Sequence, residues 1–234
     1  MQRSTTLFTK RPLPGVAKTR LSPVLEPEQA ALLAQAMLLD RAESLGSLEE
    51  LGPSLAFADP SDAAWFIEAL PWIPKQAAQV GAELGERLAN HFRATLESGE
   101  FGSAVVIGSD QPLVPLARFE EAHRLLEDGA DLVLGPDQGG GYYLVGLRAG
   151  RPDLFLDIPM SSAGMFDRTV IAGRQQGLRV ELLEAEIDVD TGEDLRLLVQ
   201  HINSNPGRAK ELAPRTVDAM VDLRARLLGS QTEA

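Results

Sequence analysis

Residues 104–107 form a short apolar, β-branched run, Ala-Val-Val-Ile, that stops abruptly at the Gly-Ser-Asp-Gln-Pro of residues 108–112. Such runs are typical of central strands in parallel sheets, because both faces of those sheets are covered. The glycine and proline end the predicted strand and leave Asp110 at its carboxyl end, where open α/β sheets bind ligands. A carboxylate at that point can hold a divalent cation against a phosphate. In the alternative interpretation, Ser109 or Asp110 only turns the chain or caps the next helix.

The composition is that of an ordinary globular protein. The chain has 234 residues, of which 44% are apolar and 24% charged, enough to bury a full core. No apolar run approaches the length of a membrane span, and the start of the chain lacks the apolar core of a signal peptide, so we expect a cytoplasmic protein. The absence of cysteine excludes disulfides and thiolate metal sites. A net charge of −12 argues against a nucleic-acid surface and leaves the oligomeric state open.

Basic residues are concentrated at the beginning of this acidic chain. Residues 5–9, Thr-Thr-Leu-Phe-Thr, predict a first strand, and the Pro/Gly-rich residues 10–20 predict a loop after it. A basic loop in that position resembles a phosphate-binding site, although it has neither P-loop nor G-x-G-x-x-G spacing. A solvated basic loop is the alternative. The segment before the first carboxylate, Glu26, contains Arg3, Lys10, Arg11, Lys18 and Arg20.

Predicted helices and strands alternate along most of the chain, which indicates a doubly wound, mainly parallel sheet in a single domain. We expect the core at about 4–200 and a C-terminal helical extension at about 203–229. We interpret residues 63–80 as an irregular connection with a short helix. Helices are predicted at 27–45, 81–96, 115–127, 163–176 (capped by Ser161 or Ser162) and 216–228, and further strands at 54–58, 131–136 and 178–183.

Two later segments carry further candidate site residues. Three consecutive glycines at 139–141 precede Tyr142 and allow close approach of a ligand, or else form a flexible hairpin turn. In an extended segment, residues two apart face the same way, so Asp188 and Asp190 can share one cation or orient its ligands. A competing interpretation is that Thr191 caps a helix whose first turn is acidic, and both can hold at once.

The chain resembles a bacterial family of GT-A-type glycosyltransferases, or nucleotide-diphospho-sugar transferases, some of which are linked to arsenosugar biosynthesis. The resemblance covers residues 7 to about 198 and depends on several short motifs that occur in the family's order, which is more specific than any one motif. The motifs are 7–12 with Pro14-Gly15, 18–21, 84–87, 108–112, 134–136, 140–147 and 188–191.

This resemblance implies an α/β, Rossmann-like GT-A fold with a mostly parallel central sheet and helices on both faces. It also implies a nucleotide-sugar donor, a small-molecule acceptor and a divalent cation, Mg²⁺ or Mn²⁺. The implied roles are catalysis for Asp110, Asp188 and Asp190, metal binding for Asp110 and Asp190, phosphate binding for Lys10, Lys18, Arg20 and Ser109, and lining of the sugar or acceptor pocket for Asp137, Gly140, Gly141 and Tyr142.

Two departures separate the chain from that family. Gly139 stands where family members carry the Asp of an Asp-Gly-Gly-Tyr run, and residues 160–162 read Met-Ser-Ser in place of Trp-Ser-Thr. Asp137 is the carboxylate that can substitute, from two residues away. The first change also brings residues 136–141 closer to the Pro-Asp-Arg-Gly-Gly-Gly run of phospholactate guanylyltransferases, which share the fold and a similar first loop.

We therefore expect a metal-dependent glycosyltransferase, from which a nucleoside diphosphate departs. One alternative is a nucleotidyltransferase, in which a small phosphate attacks the α-phosphorus of a nucleoside triphosphate and pyrophosphate departs. Another is a non-catalytic nucleotide-binding protein that kept the binding loops after losing the carboxylate at position 139.

Overall fold

The computed structural model describes residues 2–22, 24–148, 151–160 and 164–229. Within these ranges seven strands form one sheet. They are β1 (Gln2–Thr9), β2 (Pro53–Phe57), β3 (Lys75–Ala78), β4 (Phe101–Ile107), β5 (Leu132–Pro136), β6 (Tyr142–Leu147) and β7 (Val180–Leu182).

Across the same described ranges, eight α-helices connect or follow the strands. They are α1 (Pro27–Gly46), α2 (Ala63–Ala69), α3 (Leu84–Glu97), α4 (Ala117–Glu127), α5 (Met165–Gln175), α6 (Gly192–Ser204), α7 (Pro206–Leu212) and α8 (Pro214–Gly229). None of the helices in the described ranges is long and apolar enough to cross a membrane.

The strand order in the sheet is β3-β2-β1-β4-β6-β5-β7. Only β6 runs against its neighbours, since it pairs antiparallel with both β4 and β5, whereas the other pairs are parallel. The predicted fold class, an α/β protein with a mostly parallel sheet, is therefore confirmed. The strand β6 was not predicted, because its apolar residues directly follow the three glycines at 139–141, which were interpreted as a binding loop or a turn.

Helices cover both faces of the sheet, as predicted. The side chains of β4 alternate between the faces, so Val105 packs with Phe119 of α4 in one core, and Val106 packs with Phe92 of α3 in the other. A third apolar cluster joins α1 to the C-terminal helices through Met37, Leu195, Leu198 and Met220. The sheet thus lies between two layers of helices.

Three predictions about individual elements need comment. The supposed irregular connection at 63–80 contains α2 and the edge strand β3, which Pro71 and Pro74 separate. The predicted C-terminal helix at 216–228 is longer and begins at Pro214, and α6 and α7 precede it. The capping role of Ser161 or Ser162 falls outside the described residues.

Candidate functional site

A cleft of about 510 Å³ opens at the carboxyl ends of β1 and β4. The two strands are neighbours in the sheet, with Leu7 opposite Ile107, so the loops that follow them meet. These loops and the ends of β2 and β3 line the cleft. Its lining includes Phe8, Thr9, Lys10, Pro12, Lys18, Ala58, Gln79, Arg87, Ser109, Asp110 and Asp190.

Lys18 is the most buried charged group of the cleft, with 5% of its side chain exposed. Its backbone lies in the left-handed region at a φ of 51°, and no other non-glycine residue in the described ranges has a positive φ. That conformation is unfavourable for a residue with a Cβ. It precedes the short 3₁₀ turn Thr19–Leu21, which closes when the amide of Leu21 donates to the oxygen of Lys18 at 2.9 Å.

The ammonium of Lys18 lies between two carboxylates. Its Nζ is 3.0 Å from Oδ2 of Asp110 and 3.8 Å from Oδ1 of Asp190. Burial acts to lower the pKa of Lys18, but the charges of Asp110, Asp188 and Asp190 outweigh burial, and the net shift is upward. Lys18 therefore remains a cation at neutral pH.

Asp190 is brought to the cleft by a helix cap. Thr191 caps α6 and its hydroxyl accepts from the amide of Asp194, whose carboxylate in turn accepts from the amides of Thr191 at 2.7 Å and Asp190 at 3.2 Å. The capping interpretation of this segment is thus confirmed. The side chain of Asp190 is free to face Lys18, and its other oxygen contacts the guanidinium of Arg20.

Asp188 faces a different partner. The amide Nε2 of Gln111 donates to Oδ1 of Asp188 at 2.9 Å, and the amide of Val189 donates to the backbone oxygen of Asp110 at 3.0 Å. Burial is the main cause that raises the pKa of Asp188 to about 7; Lys18 opposes the shift, and the carboxylates of Asp110, Asp137 and Asp190 add to it. The segment 188–190 is therefore tied to the end of β4 by backbone and side-chain bonds.

All four residues predicted to bind phosphate reach this region. Lys10, Lys18 and Ser109 line the cleft, and Arg20 contacts it through Asp190. Arg20 is mostly exposed, and Lys10 is exposed as well. The Oγ of Ser109 lies 3.5 Å from Oδ1 of Asp110. The structure thus brings the basic loop and the strand-end carboxylates together, while the roles assigned to them remain predictions.

In residues 137–141, which we call the glycine loop, the carboxylate of Asp137 forms hydrogen bonds within the loop itself. Oδ1 of Asp137 accepts from the amides of Gly139 at 2.8 Å and Gly141 at 2.7 Å. A Cβ at position 141 would lie 2.6 Å from Oδ2 of Asp137, so a larger residue there would displace this carboxylate. Burial raises the pKa of Asp137 against these two hydrogen bonds. Asp137, Gly140 and Gly141 were predicted to line the sugar or acceptor pocket. They are not among the residues that line the cleft described above.

Tyr142 lines a smaller hollow of about 190 Å³ beside the cleft. The two spaces share Phe8, Leu84 and Gly108, so a bound molecule can extend from one into the other. The hydroxyl of Tyr142 donates to the sulfur of Met160 at 3.5 Å, and burial raises its pKa. Of the residues predicted for the sugar or acceptor pocket, Tyr142 is therefore the one that lines a space next to the cleft.

Arg87 and Gln79 are two further polar residues of the cleft, and neither had a predicted role. Arg87 is held by the loop before α3, since its Nε donates to the oxygen of Gly81 at 2.9 Å and its Nη2 to that of Ala82 at 3.0 Å. Gln79 bridges neighbouring strand ends, donating to the oxygen of Ala56 at 2.8 Å. Arg87 belongs to a motif that carried the family resemblance, whereas Gln79 gave no signal in the sequence.

No group of three or more histidine, cysteine, aspartate or glutamate side chains in the described ranges is arranged to hold a metal ion. The two carboxylates predicted as metal ligands, Asp110 and Asp190, face one common point, which the ammonium of Lys18 occupies.

A family model described as "Uncharacterized protein conserved in bacteria (DUF2064)" matches residues 42–162, which is just over half of the chain. The chain belongs to this family. The match begins within α1 and ends beyond β6, and it includes the cleft residues Gly108, Ser109 and Asp110.

Three similar proteins place this family member among transferases. A crystal structure of a "putative nucleotide-diphospho-sugar transferase" from Desulfovibrio desulfuricans G20 shares 30% identity and a TM-score of 0.82, covering 95% of this chain and 99% of the other. The 3-phospho-D-glycerate guanylyltransferase of Phenylobacterium zucineum is 29% identical over 90% of this chain and 92% of its own length. The 2-phospho-L-lactate guanylyltransferase of Methanothermobacter thermautotrophicus is 28% identical, with 79% of each chain covered.

These relatives confirm both parts of the predicted resemblance, to nucleotide-diphospho-sugar transferases and, more distantly, to phospholactate guanylyltransferases. They also confirm that the family member is a transferase. They agree better with the nucleotidyltransferase alternative than with the glycosyltransferase that the sequence favoured, since both curated relatives transfer a guanylyl group.

Proposed function

We propose that this protein is a nucleotidyltransferase that moves a nucleoside monophosphate from a nucleoside triphosphate to a small phosphorylated acceptor. The observation that carries the proposal is the buried Lys18, held between Asp110 and Asp190 in a cleft at the carboxyl ends of β1 and β4. Both curated relatives are guanylyltransferases that act on small phosphorylated acids, which makes GTP the first donor to test.

In this reaction an oxygen of the acceptor phosphate attacks the α-phosphorus of the triphosphate. The bond between the α-phosphorus and the bridging oxygen breaks, and pyrophosphate leaves. Positioning and charge neutralisation do most of the catalytic work in phosphoryl transfer, because the protein itself forms no covalent bond. Lys18 and Lys10 would neutralise the triphosphate in the cleft, and Arg87 extends the cationic lining toward β3.

The donor set fits a magnesium ion that is shared with the substrate. Magnesium in such sites takes one or two carboxylates and completes its shell with water and phosphate oxygens, so a cage of three protein ligands is not required. Asp110 and Asp190 would hold the ion, since both carboxylates face one point and both are partly exposed. The ion would supply positive charge to the phosphates. Lys18, which pairs with these carboxylates, lines the same cleft and would itself neutralise charge on the phosphates.

A nucleotide-sugar transferase is the second candidate, and one observation favours it. The Desulfovibrio protein described in those terms matches nearly the full chain at a TM-score of 0.82. The same cleft would then bind a nucleoside diphosphate sugar, and the acceptor would attack the sugar carbon. The two candidates differ in what leaves, pyrophosphate or a nucleoside diphosphate.

The deciding experiment supplies each of the four ribonucleoside triphosphates with 2-phospho-L-lactate or 3-phospho-D-glycerate, with Mg²⁺, Mn²⁺ or EDTA. We expect pyrophosphate and a nucleotide-linked product, detected by mass spectrometry, with a divalent cation only. Release of a nucleoside diphosphate from nucleotide sugars, with no pyrophosphate from any triphosphate, would overturn the proposal in favour of the second candidate.

A matched pair of lysine variants separates catalysis from general charge effects. Lys18→Met removes the buried ammonium of the cleft, and Lys210→Met removes an ammonium on α7 that pairs with Asp218. We expect about 10³-fold less turnover in the first variant and wild-type turnover in the second. Equal turnover in both would show that Lys18 does not bind the reacting phosphates.

A further inference from the structure

Arg41 is a buried arginine of α1 that lies outside the cleft but contacts the turn next to it. Only 4% of its surface is exposed. Its Nη2 donates to the backbone oxygen of Gln111 at 2.6 Å and its Nη1 to that of Val114 at 3.0 Å. Its guanidinium carbon lies 5.0 Å from the ring centre of Phe119 on α4. One side chain thus joins α1, the turn after β4 and α4.

The charge of Arg41 is costly to bury. Burial lowers its pKa to about 10, which still leaves the group charged at neutral pH. A buried ion without a good partner costs several kcal/mol. The neighbouring Asp40 is directed instead to Arg215 and Thr216, and no carboxylate in the described ranges forms a salt bridge with Arg41. The hydrogen-bond acceptors of this guanidinium are therefore the two backbone carbonyls of the 111–114 turn.

That turn carries the strand-end groups of the candidate site. Gln111 directly follows Asp110, and its side-chain amide donates to Asp188 at 2.9 Å. The backbone oxygen of Asp110 accepts from Val189 at 3.0 Å. Any displacement of the turn would therefore move Asp110 together with the segment 188–190. Arg41 contacts the same turn from α1.

We propose that Arg41 is a positioning residue, which fixes the 111–114 turn so that Asp110 and Asp188 keep the geometry that nucleotidyl transfer needs. This inference rests on the proposed function and adds to it a residue that does not contact substrate. The planar fork of arginine reaches two carbonyls at once, and a lysine cannot reproduce it. A methionine would fill the space against Phe119 but remove the guanidinium donor from both carbonyls.

The test compares Arg41→Met and Arg41→Lys with Asp40→Asn, a matched control at the neighbouring buried position. Asp40 holds α8 through hydrogen bonds to Thr216, whereas the turn is bonded by Arg41, so Asp40→Asn destabilises the fold while leaving the bonds between Arg41 and the turn in place. In Arg41→Met we expect kcat for pyrophosphate formation to fall about tenfold or more, as small displacements of reacting groups do. The KM for the triphosphate should change less than about threefold, and Arg41→Lys should lie between.

A second measurement does not depend on activity. The amide of Val114 donates to the oxygen of Gln111 at 3.3 Å, so its hydrogen exchange reports whether the turn stays closed. We expect exchange about tenfold faster in both Arg41 variants and unchanged exchange in Asp40→Asn.

Wild-type exchange at Val114 in both Arg41 variants would overturn the positioning role. Equal losses of kcat in Asp40→Asn and Arg41→Met, at equal thermal stability, would overturn it as well. If Arg41→Met fails to fold, Arg41→Lys carries the same comparison. Failure of the wild-type protein to form pyrophosphate would refute the proposed function, and exchange at Val114 would then still decide whether Arg41 holds the turn.

Discussion

The neighbouring strands β1 and β4 carry two polar clusters of opposite character. Toward their amino ends, His123 of α4 is fully buried and lies 2.9 Å from Oγ1 of Thr5 and 2.7 Å from Oγ of Ser103. At their carboxyl ends, Lys18 faces Asp110 and Asp190 in an open cleft. We call the first set the histidine cluster and the second the lysine cluster.

The two clusters differ in how completely they are satisfied. In the histidine cluster both ring nitrogens have a hydroxyl partner, and burial lowers the pKa of His123 to about 4, so the cluster is neutral at pH 7. In the partly exposed lysine cluster, the cations of Lys18 and Arg20 face Asp110 and Asp190, and Asp188 lies beside them with a pKa of about 7. A closed neutral network serves the fold, whereas an open cluster of charged groups can respond to a ligand.

Replacement of one group of the lysine cluster is the most direct test of this difference between the two clusters. Asp110→Asn keeps the size of the side chain but removes the charge that would hold a cation and that now pairs with Lys18. We expect kcat/KM for nucleotidyl transfer to fall about 10²- to 10³-fold, with little loss of thermal stability. Steady-state kinetics and a thermal melt measure both. Undiminished activity would remove Asp110 from the site.

Most of the region around the lysine cluster could be predicted from the sequence, for a physical reason. Apolar runs and turn residues are local signals, so β1, β4 and the loops that bear Lys18 and Asp110 were found at nearly their observed positions. The edge strand β3 was missed because its small and polar residues lie among prolines that break periodicity. His123 and Arg41 gave no signal, since polar residues on amphipathic helices are normally expected at the surface.

The histidine cluster makes its own prediction, on pH. The unfolded chain protonates His123 near its ordinary pKa of 6.5 and the folded protein only at about 4, so the unfolded state binds more protons between these values. The free energy of unfolding contributed by His123 is therefore complete above pH 6.5 and is lost as the pH falls toward 4. The shift corresponds to a loss on the order of 3 kcal/mol.

Urea titrations of wild type and His123→Gln at several pH values isolate this contribution as a difference. The difference is needed because other groups titrate in the same window. Burial also lowers the pKa of His91 to about 4. The pKa of Asp188 is raised to about 7, so its contribution to the free energy of unfolding increases as the pH falls. Parallel pH profiles in the two proteins would show that His123 is not held neutral.

Ligand binding should affect the lysine cluster alone. GTP with Mg²⁺ at a hundred times its dissociation constant should raise the free energy of unfolding by about 2.7 kcal/mol, roughly 5–10 °C for a chain of this length. Thermal melts should show this increase in wild type and in His123→Gln, and most of it should disappear in Asp110→Asn. A full increase in Asp110→Asn would separate nucleotide binding from that carboxylate.

The smallest expected effect is the loss of stability when the histidine cluster is opened at pH 7. In His123→Gln the side-chain amide can reach one of the two hydroxyls, so either Thr5 or Ser103 loses its partner in a fully buried position. An unpaired buried hydroxyl costs about 1–3 kcal/mol, and we expect a loss of about 2 kcal/mol in urea unfolding. Arg124→Gln, at the next and exposed position of α4, is the matched control and should lose less than about 0.5 kcal/mol.

Turnover of folded His123→Gln should equal that of wild type, because no bond of the histidine cluster reaches the cleft. A loss of turnover without a loss of stability would mean that the two ends of β1 and β4 are coupled, and the division between a structural and a ligand-binding cluster would fail.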